Sequence, residues 1–147
     1  MKLLQKNRKA LYEYTPLYTL VAGIKLVGSE IKSIREGDVN IKNTHCVFRD
    51  GEIYVRGMHI GVYKQSGTHH NHEPLRERKL LLNKSEIQKL FKEIGTMGVT
   101  IIPTALLINK GGKVKLEIAL AKGKKIHDKR ADIKKRDIER DTQRKFK

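Results

Sequence analysis

Cysteine occurs once in the 147 residues, at Cys46, tryptophan is absent, and aromatic residues make up 5% of the chain. One thiol can neither close an internal disulfide nor build a Cys-rich zinc site, so disulfide scaffolds and zinc ribbons are excluded and a reducing, intracellular setting is expected. Within a predicted strand, Cys46 reads as a small buried hydrophobe rather than a nucleophile. So few aromatics poorly supply a platform that stacks successive unpaired bases. Long apolar runs are missing too. The longest, Val99 to Ile108, carries Thr100, Pro103 and Thr104 and falls short of the ~18 residues that suggest a spanning helix. Met1-Lys2-Leu3-Leu4-Gln5-Lys6 turns to charge after two leucines, unlike a signal peptide, so a soluble, cytoplasmic protein is expected. The Asn83-Lys84-Ser85 acceptor then has no consequence. No phosphate-binding Gly-x-x-x-x-Gly-Lys-Ser loop, dinucleotide fingerprint or Ser-His-Asp grouping can be argued from spacing. Nothing gives a positive reason to expect an enzyme, a cofactor or a metal.

Acidic residues are the last scarcity: 16 against 32 Lys and Arg, a formal charge of +16. Charge of this size implies a polyanionic partner, and with so few aromatics, structured RNA read through its backbone fits better than single strands. The excess is unevenly spread. From Lys122 to Lys147 there are twelve basic and five acidic residues, a net +7, leaving +9 for the body. Apolar side chains in this tail are too sparse for a docking stripe. Asp132 with Arg136, and Asp141 with Lys145, are acid-before-base pairs four apart, each worth ~0.2–0.5 kcal/mol in a helix. The tail is therefore expected to be disordered when free and helical on an anionic partner.

The body, long enough for one core, reads mainly as strands. Val114, Leu116, Ile118 and Leu120 alternate with Lys113, Lys115 and Glu117, one face apolar and the other basic and wet. Asn109-Lys110-Gly111-Gly112 joins this strand to Val99–Ile108 as a hairpin, and Asp50-Gly51 makes a second hairpin from 46–49 and 52–55. Residues 17–27 suggest a first strand bent or bulged at Ala22-Gly23. Asn83-x-x-Glu86 is a capping-box pattern, followed by Ile87, Leu90, Phe91 and Ile94 at helical spacing, with Gly95 at the end. Ser29 to Arg35, closed by Gly37, reads as a shorter helix with Ile31 and Ile34 inward. The expected architecture is mainly β with added α-helices: a small antiparallel barrel like the oligonucleotide-binding (OB) fold at 1–121 and a basic tail at 122–147. Gly95-Thr96-Met97-Gly98 reads as a helix end and turn rather than an RNA clamp, and His69-His70-Asn71-His72 as a solvated loop rather than a metal site. Lys122-Gly123-Lys124-Lys125, directly after the last strand, concentrates cations at one end of the barrel.

Five strings stand in a shared order: Asn7-Arg8-Lys9-Ala10 with Tyr14; Ala22-Gly23-Ile24; Gly28 to Gly37; Asn71 to Leu82; and Ala121 to Arg130, which holds Lys-Gly-Lys-Lys-Ile-His-Asp-Lys-Arg. Together they resemble the SmpB family, which binds transfer-messenger RNA (tmRNA, SsrA RNA) in bacterial ribosome rescue. The resemblance implies an OB-like barrel that grips the tRNA-like domain of tmRNA, and a tail that enters the empty mRNA channel of a stalled ribosome. Elongation factor Tu would deliver the charged RNA, and peptidyl transfer would be the ribosome's. By resemblance, Asn7, Lys9, Leu81 and Lys113 fall on the RNA-binding surface, extended by Lys122, Gly123, Lys124 and Lys125. His127, Asp128, Lys129 and Arg130 match the tail motif that works near the decoding centre. A leucine in Leu80-Leu81-Leu82 would ordinarily be core, so the role of Leu81 is owed to the resemblance alone. Two departures stand out: Val21 where the family usually has a Glu of the RNA-binding surface, and His45 where Tyr is common. A general or ribosomal RNA-binding barrel is the rival reading, and a nuclease using His69, His70 or His72 a distant third.

Overall fold

The computed structural model describes residues 1–64, 71–95 and 98–124. Along these the order is β1 (Lys2–Lys6), α1 (Arg8–Glu13), β2 (Tyr14–Ile24), α2 (Gly28–Arg35), β3 (Val39–Asn40), β4 (His45–Arg49), β5 (Glu52–Arg56), β6 (His59–Ile60), β7 (Arg78–Leu81), α3 (Lys84–Glu93), β8 (Val99–Ile108) and β9 (Val114–Gly123). The alternation in β9 does what its period requires: Val114, Leu116, Ile118 and Leu120 are buried on one face. They meet Ile24, Ile53, Val55, Leu80, Ile101 and Leu106 in one core.

Seven strands form an antiparallel sheet in the order β1-β8-β9-β2-β7-β5-β4, and β3 with β6 forms a separate ribbon. Both expected hairpins are present. Asp50 and Gly51 take φ of 52° and 77°, the doubly positive turn that matches strand twist. In the β8–β9 connection Gly112 takes φ 82°, while the Asn109 side chain accepts from the Lys113 amide at 2.9 Å. The sheet ends, β1 and β4, do not pair, and side-chain amides bridge the β1 side to β3 and the residues just after it. Gln5 Nε2 donates to the Val39 carbonyl at 2.9 Å, and Gln5 Oε1 accepts from the Ile41 amide at 2.6 Å. Asn7 Nδ2 donates to the carbonyls of Ile41 (3.1 Å) and Pro103 (2.9 Å). The Gln5 amide mimics the donor and acceptor of a strand and the Asn7 amide adds two donors, so the gap in the barrel is bridged without a ladder there.

Several features differ from the sequence expectation. Residues 2–13, given no structure from sequence, hold β1 and α1. The irregularity in β2 lies between Pro16 and Tyr18, not at Ala22-Gly23, which pair regularly with Leu116 and Lys115. Proline cannot donate to a ladder, so the register slips there. The outer face of β9 is not wet throughout, because Ala119 and Ala121 are buried with Ile102 beneath Ala10 of α1. Phe91 of α3 does not follow Ile87 and Leu90 into the core but is 62% exposed. The α3 capping box is as expected, with Asn83 Oδ1 accepting from the Glu86 amide and Glu86 Oε1 accepting from the Asn83 amide.

Helix α2 is fastened through charge rather than through its isoleucines alone. Ile34 is buried, Ile31 only half so, and the helix also turns Ser29, Glu30 and Ser33 inward. Glu30 is wholly buried and accepts from Arg78 Nε, Arg76 Nη2 and the Val27 amide, the last at 2.9 Å. Arg78, equally buried, also donates to the carbonyls of Met58 (2.6 Å), Pro74 (3.1 Å) and Glu73 (3.4 Å). Burial pushes the Glu30 carboxyl up, but the hydrogen bonds from Arg76, Val27 and Arg78 outweigh it and hold the group below its ordinary value. His72, expected in a solvated loop, is buried instead, with Nδ1 2.8 Å from Ser29 Oγ and Nε2 2.8 Å from the Ile60 carbonyl. His69 and His70 lie outside the described residues, and among the described residues no three His, Cys, Asp or Glu side chains gather as a metal site.

Candidate nucleic-acid interface

Helix α1 brings the first group of basic residues together. Asn7 Oδ1 accepts from the Ala10 amide at 3.2 Å, which caps the helix, and the Asn7 amide donates to the Thr104 carbonyl at 2.8 Å. Asn7 is therefore 1% exposed with its side chain fully engaged. Asn7, expected on the RNA surface, lies beneath it in this structure: every polar atom of its amide has a partner inside the protein, and these bonds fix the start of α1. Lys9, two residues on, is exposed and donates to Asn43 Oδ1 at 2.7 Å. Asn43 holds the left-handed conformation at φ 57°, which Asn tolerates better than most residues. Between them opens a polar cleft of ≈ 310 Å³ lined by Lys9, Glu13, Tyr14, Asn43, His45 and Thr100, among others.

The end of β9 meets the far end of the same helix. Tyr14 pairs with Gly123 and Thr15 with Lys122. The Lys124 amide donates to the Glu13 carbonyl at 3.0 Å, and Lys124 Nζ sits 5.9 Å from the Tyr12 ring centroid. A six-residue helix is about 9 Å long, so Lys9, Lys122 and Lys124 share one end of the barrel. A Cβ on Gly123 would come no nearer than 4.0 Å to the Tyr14 ring, so the fold does not itself demand glycine there. Sequence alone did not disclose Tyr12 or Asn43, because neither belongs to a charge run.

Leu81 and Lys113 lie elsewhere. Leu80 is buried in the core, and the strand alternation turns Leu81 outward, 51% exposed. Leu81 pairs with Gly23, which on its other side pairs with Lys115. A Cβ on Gly23 would stand 3.2 Å from Leu81 Cβ and 3.6 Å from Lys115 Nζ, so the bare glycine makes room for both. Val21, 44% exposed on β2, faces Glu117 of β9, whose Oε1 accepts from Thr104 Oγ1 at 2.7 Å. Lys113 is exposed at the start of β9, roughly 30 Å from Lys122 at ~3.3 Å per residue. The sequence-predicted residues thus form two patches at opposite ends of one strand. Lys125, His127, Asp128, Lys129 and Arg130, with the expected tail helix, lie outside the described residues.

Comparison with known proteins decides the family. The family described as SmpB protein matches residues 4–147. The SsrA-binding protein of Trichormus variabilis is 47% identical over 146 residues, 99% of this chain and 94% of that protein. The chain belongs to the SmpB family. Other SsrA-binding proteins agree: that of Prochlorococcus marinus subsp. pastoris is 50% identical over 95% of this chain and 79% of its own, and that of Christiangramia forsetii 51% over 92% and 85%. A solved structure described as "tmRNA-SmpB: a journey to the center of the bacterial ribosome" superposes with a TM-score of 0.69 at 38% identity, covering 83% of this chain and 85% of that one. The barrel with added helices is thus an SmpB fold. Among the described residues no helix is long and apolar enough to cross a membrane.

Proposed function

We propose that this SmpB-family chain binds the tRNA-like domain of tmRNA and delivers it to stalled ribosomes for trans-translation, acting in the cytoplasm and without catalytic chemistry of its own. The observation that carries this reading is the docking of α1, which gathers Lys9, Lys122 and Lys124 where β9 leads into the basic segment. Cations held on a rigid element neutralise phosphates at low ordering cost. Leu81, Gly23, Lys113 and Lys115 supply the second patch, where an exposed leucine beside ammonium groups suits the body of a folded RNA better than a bare charge run would. Gly123, Lys124 and Lys125 carry the chain from barrel to tail. The division expected after Ala121 falls inside β9, so we set it after Lys124, whose amide is still tied to Glu13. From there His127, Asp128, Lys129 and Arg130 would work near the decoding centre and the tail would sense the empty mRNA channel. Elongation factor Tu would be a partner through the RNA it carries.

Removing Ile126–Lys147 tests this division of labour. Binding to the tRNA-like domain should persist while tagging of stalled nascent chains in a reconstituted translation system fails. A graded loss of affinity, with rescue falling in proportion, would favour a general RNA-binding barrel.

A further inference from the structure

An apolar groove of ≈ 390 Å³ lies between the β4–β5 hairpin and α3, lined by Phe48, Arg49, Asp50, Gly51, Ile87, Gln88 and Phe91. None of the residues assigned above lines it. Its volume falls within the ~300–1,000 Å³ of small-ligand sites. Phe91 is the most exposed large hydrophobic side chain among the described residues apart from Met1. Phe48 holds it edge-to-face, with ring centroids 5.3 Å apart and planes at 83°, so the ring is fixed yet mostly in water. Such a ring is preordered to receive a flat partner.

Charge around the groove selects the partner. Lys84 and Lys92 are exposed and lie four residues before and after Gln88, so they share its face of α3 about 12 Å apart. The acids nearby are mostly committed: Glu86 caps α3, Glu77 pairs with Arg49 and Arg56, and Glu52 pairs with Lys79 at 3.5 Å. Asp50, on the hairpin tip, is the acid in the lining. A fixed aromatic ring beside an amide and bracketed by two ammonium groups has the chemistry of an unpaired nucleobase and its flanking phosphates. We propose that this groove binds one unpaired base of an RNA, stacked on Phe91, as a site separate from the two patches above. One ring serves one base, which accords with a chain poor in aromatics.

Because the chain has no tryptophan, Phe91→Trp places a single reporter in the groove. Titrating this full-length variant with a short single-stranded oligoadenylate should quench its emission saturably. In competition, Phe91→Ala and Phe91→Leu should bind the same oligonucleotide at least about fivefold more weakly than the parent, while Phe91→Tyr should bind within twofold, as stacking rather than apolar bulk demands. Phe91 is exposed, so these variants should fold, and circular dichroism melts verify it. Emission unmoved at saturation, or parental affinity for Phe91→Leu, overturns the proposal. Emission that instead shifts with protein concentration and no RNA makes the groove a contact between copies of the chain and overturns it equally. Binding of the tRNA-like domain, measured separately, reports on the function proposed above and is independent of these outcomes.

Discussion

Two regions rich in Arg, Lys and carboxylates use the same chemistry to opposite ends. At α2 the charges are buried and paired: Glu30 takes donors from Arg76, Arg78 and the Val27 backbone, and Arg78 spends its remaining N–H groups on three carbonyls. At α1 and the end of β9, Lys9 and Lys122 stand in water on a backbone fixed from beneath by Asn7, Ala119 and Ala121. A buried pair is strongly coupled to the fold, because removing one partner strands the other. An exposed cation is nearly free of the fold and open to phosphate. Position in the fold, more than residue type, divides charge committed to the fold from charge left open to a partner.

Breaking the buried side should have the largest effect. Glu30→Gln leaves Arg78 buried without its counter-charge and should cost about 3–5 kcal/mol in urea unfolding. Its pH dependence is also fixed in sign. Because the folded carboxyl titrates below the unfolded one, the unfolded chain takes up the proton first as pH falls. The contribution is full above the ordinary glutamate value of ~4.3 and is lost below it. Part of the acid sensitivity of the parent should be missing from Glu30→Gln.

Asn7→Ala should come next, at about 2–4 kcal/mol, since it removes a helix cap and the Asn7 donor to the Pro103 carbonyl, while the Ile41 carbonyl keeps Thr44 Oγ1. A loss confined to RNA affinity, with an unchanged melting curve, would make RNA contact rather than helix capping the main role of Asn7. Lys122→Ala with Lys124→Ala should barely move stability, within about 0.5 kcal/mol for each position, while the log–log salt slope of RNA binding falls by roughly 0.7–0.9 for each phosphate the variant no longer neutralises. The smallest effect on the fold should be that of Gly123→Ala, which adds only an ordinary contact with Tyr14. If RNA affinity nevertheless drops, the RNA backbone comes close to Gly123 itself.

The same comparison explains what could be read in the sequence. Periodic elements were legible: the β9 alternation, the Asp50-Gly51 turn and the Asn83/Glu86 box each rest on neighbours in the chain. The cation cluster at Lys122 was legible as charge. Long-range polar bonds left no local trace. Gln5 with Val39 and Ile41, Glu30 with Arg78, and His72 with Ser29 join residues 34 to 48 positions apart. So β1 and α1 carry no local signal, and the burial of Asn7 and His72 is not legible from their neighbours in the chain. The strings shared with the SmpB family mix both kinds of residue: Asn71 to Leu82 contains the buried His72 and Arg78 as well as the exposed Leu81.

Exposed cations and Leu81, held by a rigid barrel, should recognise one folded RNA rather than any polyanion. The most direct measurement is the affinity of the full chain for the tRNA-like domain of tmRNA against an ordinary tRNA across a salt series. A preference for the tRNA-like domain that persists at physiological salt, and that shrinks in Leu81→Ala, is the expected result. Equal affinities that collapse together as salt rises would contradict it.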